Sequence, residues 1–327
     1  MPLRFDDDFL KKLEYLHVVS KRAFAGQNRA DRLTPKRGRG LEFADHRPYT
    51  PGDDFRHIDW KAYKRLHRLL LRLFDEERDL PIYLMLDVSR SMAEPAKFDM
   101  ARRIAAALCY IGLVHLDRLT IVPFGAGLRA ESAPGRGKGR IFRVFELLER
   151  MEAGGPTDMR ESFKEFAARP RQLGLTVVMS DFLDPAGASA KAGPPSLGGK
   201  APSTEVRRDL AGASAEAGPR QGEGFEAGLK ILRTLGHDVF VVHVTSERDR
   251  DPGAFGDVRF VDSETGDLRE IEVTPRLAAA YVAAWEKHAD DLARFCGRYN
   301  IGYVRADAER PFEEIILRSF RQGRFLA

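Results

Sequence analysis

The chain has 327 residues, 43% hydrophobic and 31% charged, with a formal net charge of +4 at pH 7. This is the composition of an ordinary globular protein, long enough for one large domain or two modest ones. So small a basic excess weighs against a nucleic-acid binder, which concentrates its charge on one face.

In chain order, apolar residues first recur at helical spacing from Asp8 to Phe24: Phe9, Leu13, Leu16, Val19 and Ala23. A basic, glycine-rich loop containing "KRGRG" (36–40) follows, then the polar stretch "GLEFADHRPYTPGDDFRHIDWKAYKR" (40–65) and a strand within "LLLRLFDEER" (69–78). From Pro81 strands alternate with helices, which predicts an α/β fold with a doubly wound, mostly parallel sheet behind an N-terminal helix/strand extension. The strands are expected at 82–86, 118–124, 175–182, 237–245 and 301–305. Helices are expected at about 97–115, 141–151, from Asp158, at 225–235, from Thr274 and from Pro311, and a hairpin at 257–273 turning at Thr265–Gly266–Asp267. The domain division is therefore 1–79 for the extension and 80–327 for the α/β domain. Residues 185–221 are Ala, Gly, Ser and Pro with few large apolar side chains. They are expected to be a disordered insertion, because they cannot bury enough surface to offset the entropy of ordering.

Cys109 and Cys296 lie far apart in helical apolar patterns, and neither CxxC nor HExxH occurs. A structural zinc site is not expected, and the cysteines read as reduced core residues of a cytoplasmic protein. No stretch is long enough to span a bilayer and no signal peptide is read at the N-terminus. The second basic cluster, "GRGKGR" (135–140), lacks the Ser or Thr after Lys138 that a phosphate-binding loop requires.

The chemistry concentrates after the first strand of the parallel sheet, at "LDVSRSM" (86–92). Asp87, Ser89 and Ser91 alternate and can face one spot, as a capped turn or as ligands of a hard cation. Open α/β sheets bind ligands at the carboxyl ends of their strands, and two further oxygen side chains come to that edge. Thr157 lies in "AGGPTD" (153–158), and Asp181 follows "LTVVMS". Singly, each has a structural reading: Thr157 precedes the Asp158 cap, and both aspartates can close turns. Together they suit a cation, because two carboxylates ~5 Å apart repel by roughly 3 kcal/mol at an effective dielectric near ~20. Hydroxyls and waters match the preference of magnesium. Arg90 is the alternative source of positive charge.

"DVSRS" with Thr157 and Asp181 resembles the metal-ion-dependent adhesion site of von Willebrand factor A domains, DxSxS…T…D. The stretch "RPYTPGDDFRHIDWKAYKR" resembles the hallmark of domain-of-unknown-function family fifty-eight, whose members are similar to von Willebrand A domains and are often encoded beside AAA+ ATPases of the MoxR class. The resemblance implies a Rossmann-type A-like fold and an Mg2+ or Mn2+ ion held by Asp87, Ser89, Ser91, Thr157 and Asp181. It also implies a MoxR-type ATPase or its client as partner, supplying an acidic residue to the ion, and a role as adaptor rather than enzyme. In the hallmark stretch Arg47, Arg56 and Arg65 alternate with Asp53, Asp54 and Asp59, so an internal ion-pair brace is one reading. The other is a docking surface formed by Arg47, Tyr49, Asp53, Asp54, Arg56, Asp59 and Trp60.

Two other functions compete. A haloacid-dehalogenase-like phosphatase also places an Asp after its first strand. It wants a second carboxylate where Ser89 stands, and a Lys before its final acidic pair, which "SDFLD" does not supply nearby. A nucleic-acid binder would use the basic N-terminal arm.

Overall fold

The computed structural model describes residues 5–25, 42–50, 53–75, 81–115, 117–183, 223–250, 256–261 and 268–321. The expected insertion at 185–221, the turn at Thr265–Gly266–Asp267 and the cluster at 36–40 lie outside the described residues. The chain divides into two compact units, Met1–Lys21 with Leu80–Leu326, and Arg22–Asp79.

The smaller unit contains β1 (Glu42–Pro48), α2 (Trp60–Leu66) and β2 (Leu70–Asp75), numbered after the N-terminal helix α1 (Asp7–Ala25). β1 and β2 pair antiparallel from Glu42↔Asp75 to Pro48↔Leu70, with an irregularity between Phe43 and Asp45. Sequence periodicity assigns no strand to 42–48, because "EFADHRP" is mostly polar and its strand identity comes from the partner. α2 starts where Asp59 accepts hydrogen bonds from the Lys61 and Ala62 amides, and it stops at His67, whose φ of 51° is left-handed.

The larger unit is built on a five-stranded parallel sheet. Its strands are β3 (Pro81–Asp87), β4 (Arg118–Phe124), β5 (Leu175–Ser180), β6 (Asp238–Thr245) and β9 (Gly302–Asp307), in the order β4-β3-β5-β6-β9. The connecting helices are α3 (Pro95–Val114), α4 (Ile141–Arg150), α5 (Met159–Ala168), α6 (Glu223–Thr234), α7 (Glu247–Arg250), α8 (Pro275–Arg298) and α9 (Phe312–Arg321). A separate hairpin pairs β7 (Gly256–Val261) with β8 (Leu268–Val273). Pro95 opens α3 and Pro275 opens α8, where a missing amide hydrogen costs nothing.

β3 is buried along its whole length, as a strand covered on both faces must be. Successive side chains point to opposite faces. Tyr83 and Met85 join Phe163 and Phe166 of α5, Leu229 of α6 and Phe295 of α8 in one core. On the other face Gly112 of α3 brings its backbone against Ile82; an added Cβ would sit 3.3 Å from the Ile82 Cδ1. α1 as far as Lys21 belongs to this unit rather than to the extension ending at 79. Its Phe9, Leu13 and Leu16 are buried, and the Phe9 ring lies 5.0 Å from Phe312 and 6.1 Å from Phe145.

The chain runs from β3 outward to β4, then returns to the other side of β3 as β5. That reversal is the topological switch point of the sheet, and the carboxyl ends of β3 and β5 flank it.

Candidate functional site at the carboxyl edge of the sheet

Asp87 is the last residue of β3, paired with Phe124 of β4. Its Oδ1 accepts the Ser89 amide at 2.9 Å, which turns the chain as it leaves the sheet. Ser91 then opens a 3-10 turn, Ser91–Ala93. Across the switch point Ser180 ends β5 and donates from its hydroxyl to Asp87 Oδ2 at 2.6 Å, while its Oγ accepts the Phe182 amide at 2.8 Å. Asp181 follows, and Phe182 adopts a left-handed φ of 57°. That conformation costs a non-glycine residue on the order of 1 kcal/mol. The Phe182 ring, with centroids 6.1 Å from Phe225 and 6.0 Å from His243, holds the turn against that cost.

Asp181 Oδ1 accepts from the Ser91 hydroxyl at 3.2 Å and from the Leu183 amide at 3.1 Å. Ser89 Oγ and Ser91 Oγ are 3.0 Å apart. A hydroxyl has one proton to give. With that of Ser91 directed at Asp181, the relay runs Ser89→Ser91→Asp181. The loop carrying Thr157 is clasped to the same turn: the Arg90 amide donates to Gly155 O and the Gly154 amide to Val88 O, both at 2.8 Å. Thr157 is itself buried, one residue before Asp158, which caps α5 by accepting the Glu161 amide. All five residues singled out in the sequence thus belong to the structure around the β3–β5 edge. None exceeds 3% exposure.

The structure adds three groups that sequence reasoning missed. Lys97, 1% exposed, reaches from the first turn of α3 to place its Nζ 2.9 Å from Asp181 Oδ2 and 3.0 Å from Asp249 Oδ1. It had a legible signal, since it continues the buried α3 stripe of Ala101, Ile104 and Leu108 four residues upstream. Ser180 had a weaker one, a hydroxyl at the end of an otherwise apolar strand. Asp249 had none, because the short helix α7 that carries it follows no pattern. Arg90, the alternative source of positive charge in the sequence, is exposed.

The electrostatics follow from burial. Burial first, and then the neighbouring charge of Asp181, raise Asp87 from the ordinary carboxylate range to about 7, against the hydrogen bonds from Ser180 and Ser89. Burial alone would lower Lys97, but the charges of Asp181 and Asp249 outweigh it and hold the ammonium above its usual value. His243 of β6 is pushed well down by burial and by the charges of His288, Arg305 and Lys97.

Among the described residues no group of three His, Cys, Asp or Glu side chains is arranged to hold a metal. The donor set here is of another kind, two hydroxyls aligned between two carboxylates. Adjacent donors on octahedral magnesium, at about 2.1 Å from the ion, lie about 3 Å apart. The spacing of Ser89 Oγ from Ser91 Oγ fits that edge. Asp181 and Asp249 share the single ammonium of Lys97, so these two carboxylates outnumber the cation between them and leave negative charge that a metal ion would neutralise.

The hallmark stretch arranges its carboxylates differently. Asp53 Oδ1 accepts from Arg47 at 2.6 Å, and its Oδ2 from the Thr50 amide. Asp54 Oδ1 accepts the Arg56 amide. Asp59 accepts the Lys61 and Ala62 amides and lies 2.9 Å from His46 Nε2. Of the alternating ion pairs expected, Arg47–Asp53 forms, whereas Asp59 takes His46 as its side-chain partner. Tyr49 is half-buried, its amide donating to Leu69 O, and Trp60 is exposed.

The family described as "Protein of unknown function DUF58" matches residues 45–194, which contain the hallmark stretch and all five site residues. Uncharacterized protein Rv1480 of Mycobacterium tuberculosis (strain ATCC 25618 / H37Rv) is 26% identical over 298 residues, 88% of this chain and 81% of that protein. Uncharacterized protein Mb1516 of Mycobacterium bovis matches to the same extent. Among solved structures, the conserved hypothetical protein BatB from Bacteroides thetaiotaomicron aligns over 74% of this chain and 98% of its own, at 13% identity and a TM-score of 0.37. An aerotolerance-related membrane protein from Bacteroides fragilis aligns over 74% and 99%, at 15% identity and the same TM-score. Among the described residues, no helix is long and apolar enough to cross a membrane.

Proposed function

We propose that this chain is a protein-interaction module of the von Willebrand factor A type, working in the cytoplasm and binding one Mg2+ or Mn2+ ion at the β3–β5 edge. The ion would be held by Ser89, Ser91 and Thr157, with Asp87 and Asp181 behind them. The observation that carries the reading is the hydroxyl pair at the switch point, hydrogen-bonded to buried Asp181 and beside buried Asp87. When bound, the ion supplies a positive charge that an acidic side chain of another protein can complete. Asp181 would orient the hydroxyls through Ser91 and, with Asp87, take up the charge, while Lys97 keeps Asp181 turned toward α7. By the family resemblance, the partner is a MoxR-type AAA+ ATPase or its client, and this chain acts as its adaptor.

Titration calorimetry with MnCl2 and MgCl2 tests the ion, comparing wild type with Ser89→Ala/Ser91→Ala. One ion per chain is expected for wild type and at least about a tenfold loss for the variant. Because both serines are buried, the thermal midpoint of the variant is read alongside. Equal uptake by a folded variant defeats the assignment. Pull-down with the purified ATPase, with and without chelator, tests the partner.

One observation favours a second reading. Lys97 beside Asp181 provides the lysine that a haloacid-dehalogenase-like phosphatase requires and that "SDFLD" does not itself supply. Turnover of p-nitrophenyl phosphate abolished by Asp87→Asn would establish it over the adaptor.

A further inference from the structure

The smaller unit carries a surface that the sheet-edge site does not use. α2 is seven residues long and buries Ala62 alone. Its apolar and aromatic side chains face outward: Trp60 is 59% exposed, Tyr63 41% and Leu66 56%, and Leu69 just beyond is 40% exposed. The Trp60 and Tyr63 rings meet edge to face at 6.2 Å, a pair one turn apart on the helix. So short a helix has little stability of its own, and a helix normally buries its apolar side chains.

The charge on this segment has one sign. From Trp60 to Phe74 the chain carries Lys61, Lys64, Arg65, Arg68 and Arg72 and no carboxylate. Asp75, Glu76 and Glu77 follow the segment, and of the acids that precede it Asp53, Asp54 and Asp59 accept hydrogen bonds from backbone amides of their own unit, Asp53 and Asp59 from Arg47 and His46 as well. These three carboxylates of the hallmark stretch are thus engaged internally, while Lys61, Lys64 and Arg65 are exposed beside exposed aromatic and aliphatic side chains.

We infer that the exposed face of α2 docks an acidic segment of a partner protein, one that sets apolar side chains against Trp60 and Leu66 while its carboxylates meet Lys61, Lys64 and Arg65. Trp, Tyr and Arg are the residues that most often dominate such interfaces. The exposed leucines favour a protein segment over a nucleic acid, since aliphatic side chains give bases no stacking platform. A helix this short also offers a membrane little apolar area to bury. The inference is independent of the ion at the sheet edge.

The chain supplies its own reporter. It has two tryptophans, and Trp285 is 4% exposed, so acrylamide quenching reads mainly Trp60. The full chain would be titrated with a synthetic amphipathic peptide of glutamates bearing a leucine stripe at helical spacing. The comparisons are the same composition scrambled, an oligothymidylate, and phosphatidylglycerol vesicles. The expected result is protection of Trp60 by the striped peptide, with affinity about tenfold or more above the scrambled peptide and unchanged by chelator. Leu66→Ser and Lys64→Glu/Arg65→Glu should each abolish that preference at an unaltered thermal midpoint, because these side chains are exposed. If one of them fails to fold, the other still decides. Equal affinity for the scrambled peptide, tighter binding of oligothymidylate or vesicles, or indifference to a folded variant would overturn the inference.

Discussion

Asp87 and Asp59 are both aspartates at the ends of regular elements, yet their acidities are displaced in opposite directions. Burial and the neighbouring charge of Asp181 push Asp87 up to about 7. The Ala62 amide first, then His46 and the Lys61 amide, bring Asp59 down to about 2. Asp59 sits at the start of an exposed helix, where peptide N–H groups point at it and water solvates what they leave. Asp87 is enclosed among strands, where two hydrogen bonds do not replace lost hydration. One carboxylate is settled by its local chain, and the other is left needing positive charge.

The largest expected effect comes from Lys97, whose ammonium is enclosed at the sheet edge. Lys97→Met leaves Asp181 and Asp249 without their ammonium, and breaking a buried pair in this way costs about 3–5 kcal/mol. Urea denaturation measures it, and saturating Mg2+ should restore part of the loss by binding the native state. A loss below about 1 kcal/mol would mean that the two carboxylates are solvated after all.

A smaller effect separates Asp87 from its surroundings. Its folded pKa lies above its unfolded value of about 3.9, so the native state holds the proton more tightly. In chelator, stability should fall as pH rises through the window from about 4 to about 7, and change little from this source on either side. Asp87→Asn should flatten that limb. Excess Mg2+ should flatten it in wild type and change nothing further in the variant. Identical profiles for the two proteins would show that Asp87 ionises without cost.

The smallest effect belongs to the other side of the comparison. Asp59→Ala removes the cap of α2 and should make Trp60 emission redder and more quenchable, with Mn2+ binding at the sheet edge unchanged. Asp59→Asn, which keeps the capping oxygen, should restore most of the wild-type spectrum. A change in Mn2+ affinity would show that the two regions are energetically coupled.

Much of this protein was legible in one dimension. The buried strand ending at Asp87, the helix stripe of α3, the Asp158 cap and the alternation of strands with helices are local patterns, and each element appears within a few residues of where its pattern places it. The long α8 was readable only in part: Trp285, His288, Leu292 and Phe295 are buried, whereas Leu277 and Tyr281, two turns and one turn before Trp285 on the same helix, are not fully covered. Periodicity records what could be buried, and the packing of the folded chain decides what is.

The sequence by itself determined the parallel sheet and the oxygen side chains after its strands, because period and residue type are properties of the chain. The tertiary structure alone decided that Lys97 and Asp249, 152 residues apart, meet at Asp181, and that Arg90 turns outward. It also decided that β1 is a strand, since its polar residues pair only once Leu70–Asp75 lies alongside. A carboxylate's acidity is likewise set by what folds over it, so Asp87 and Asp59 are alike on the page and opposite in the molecule.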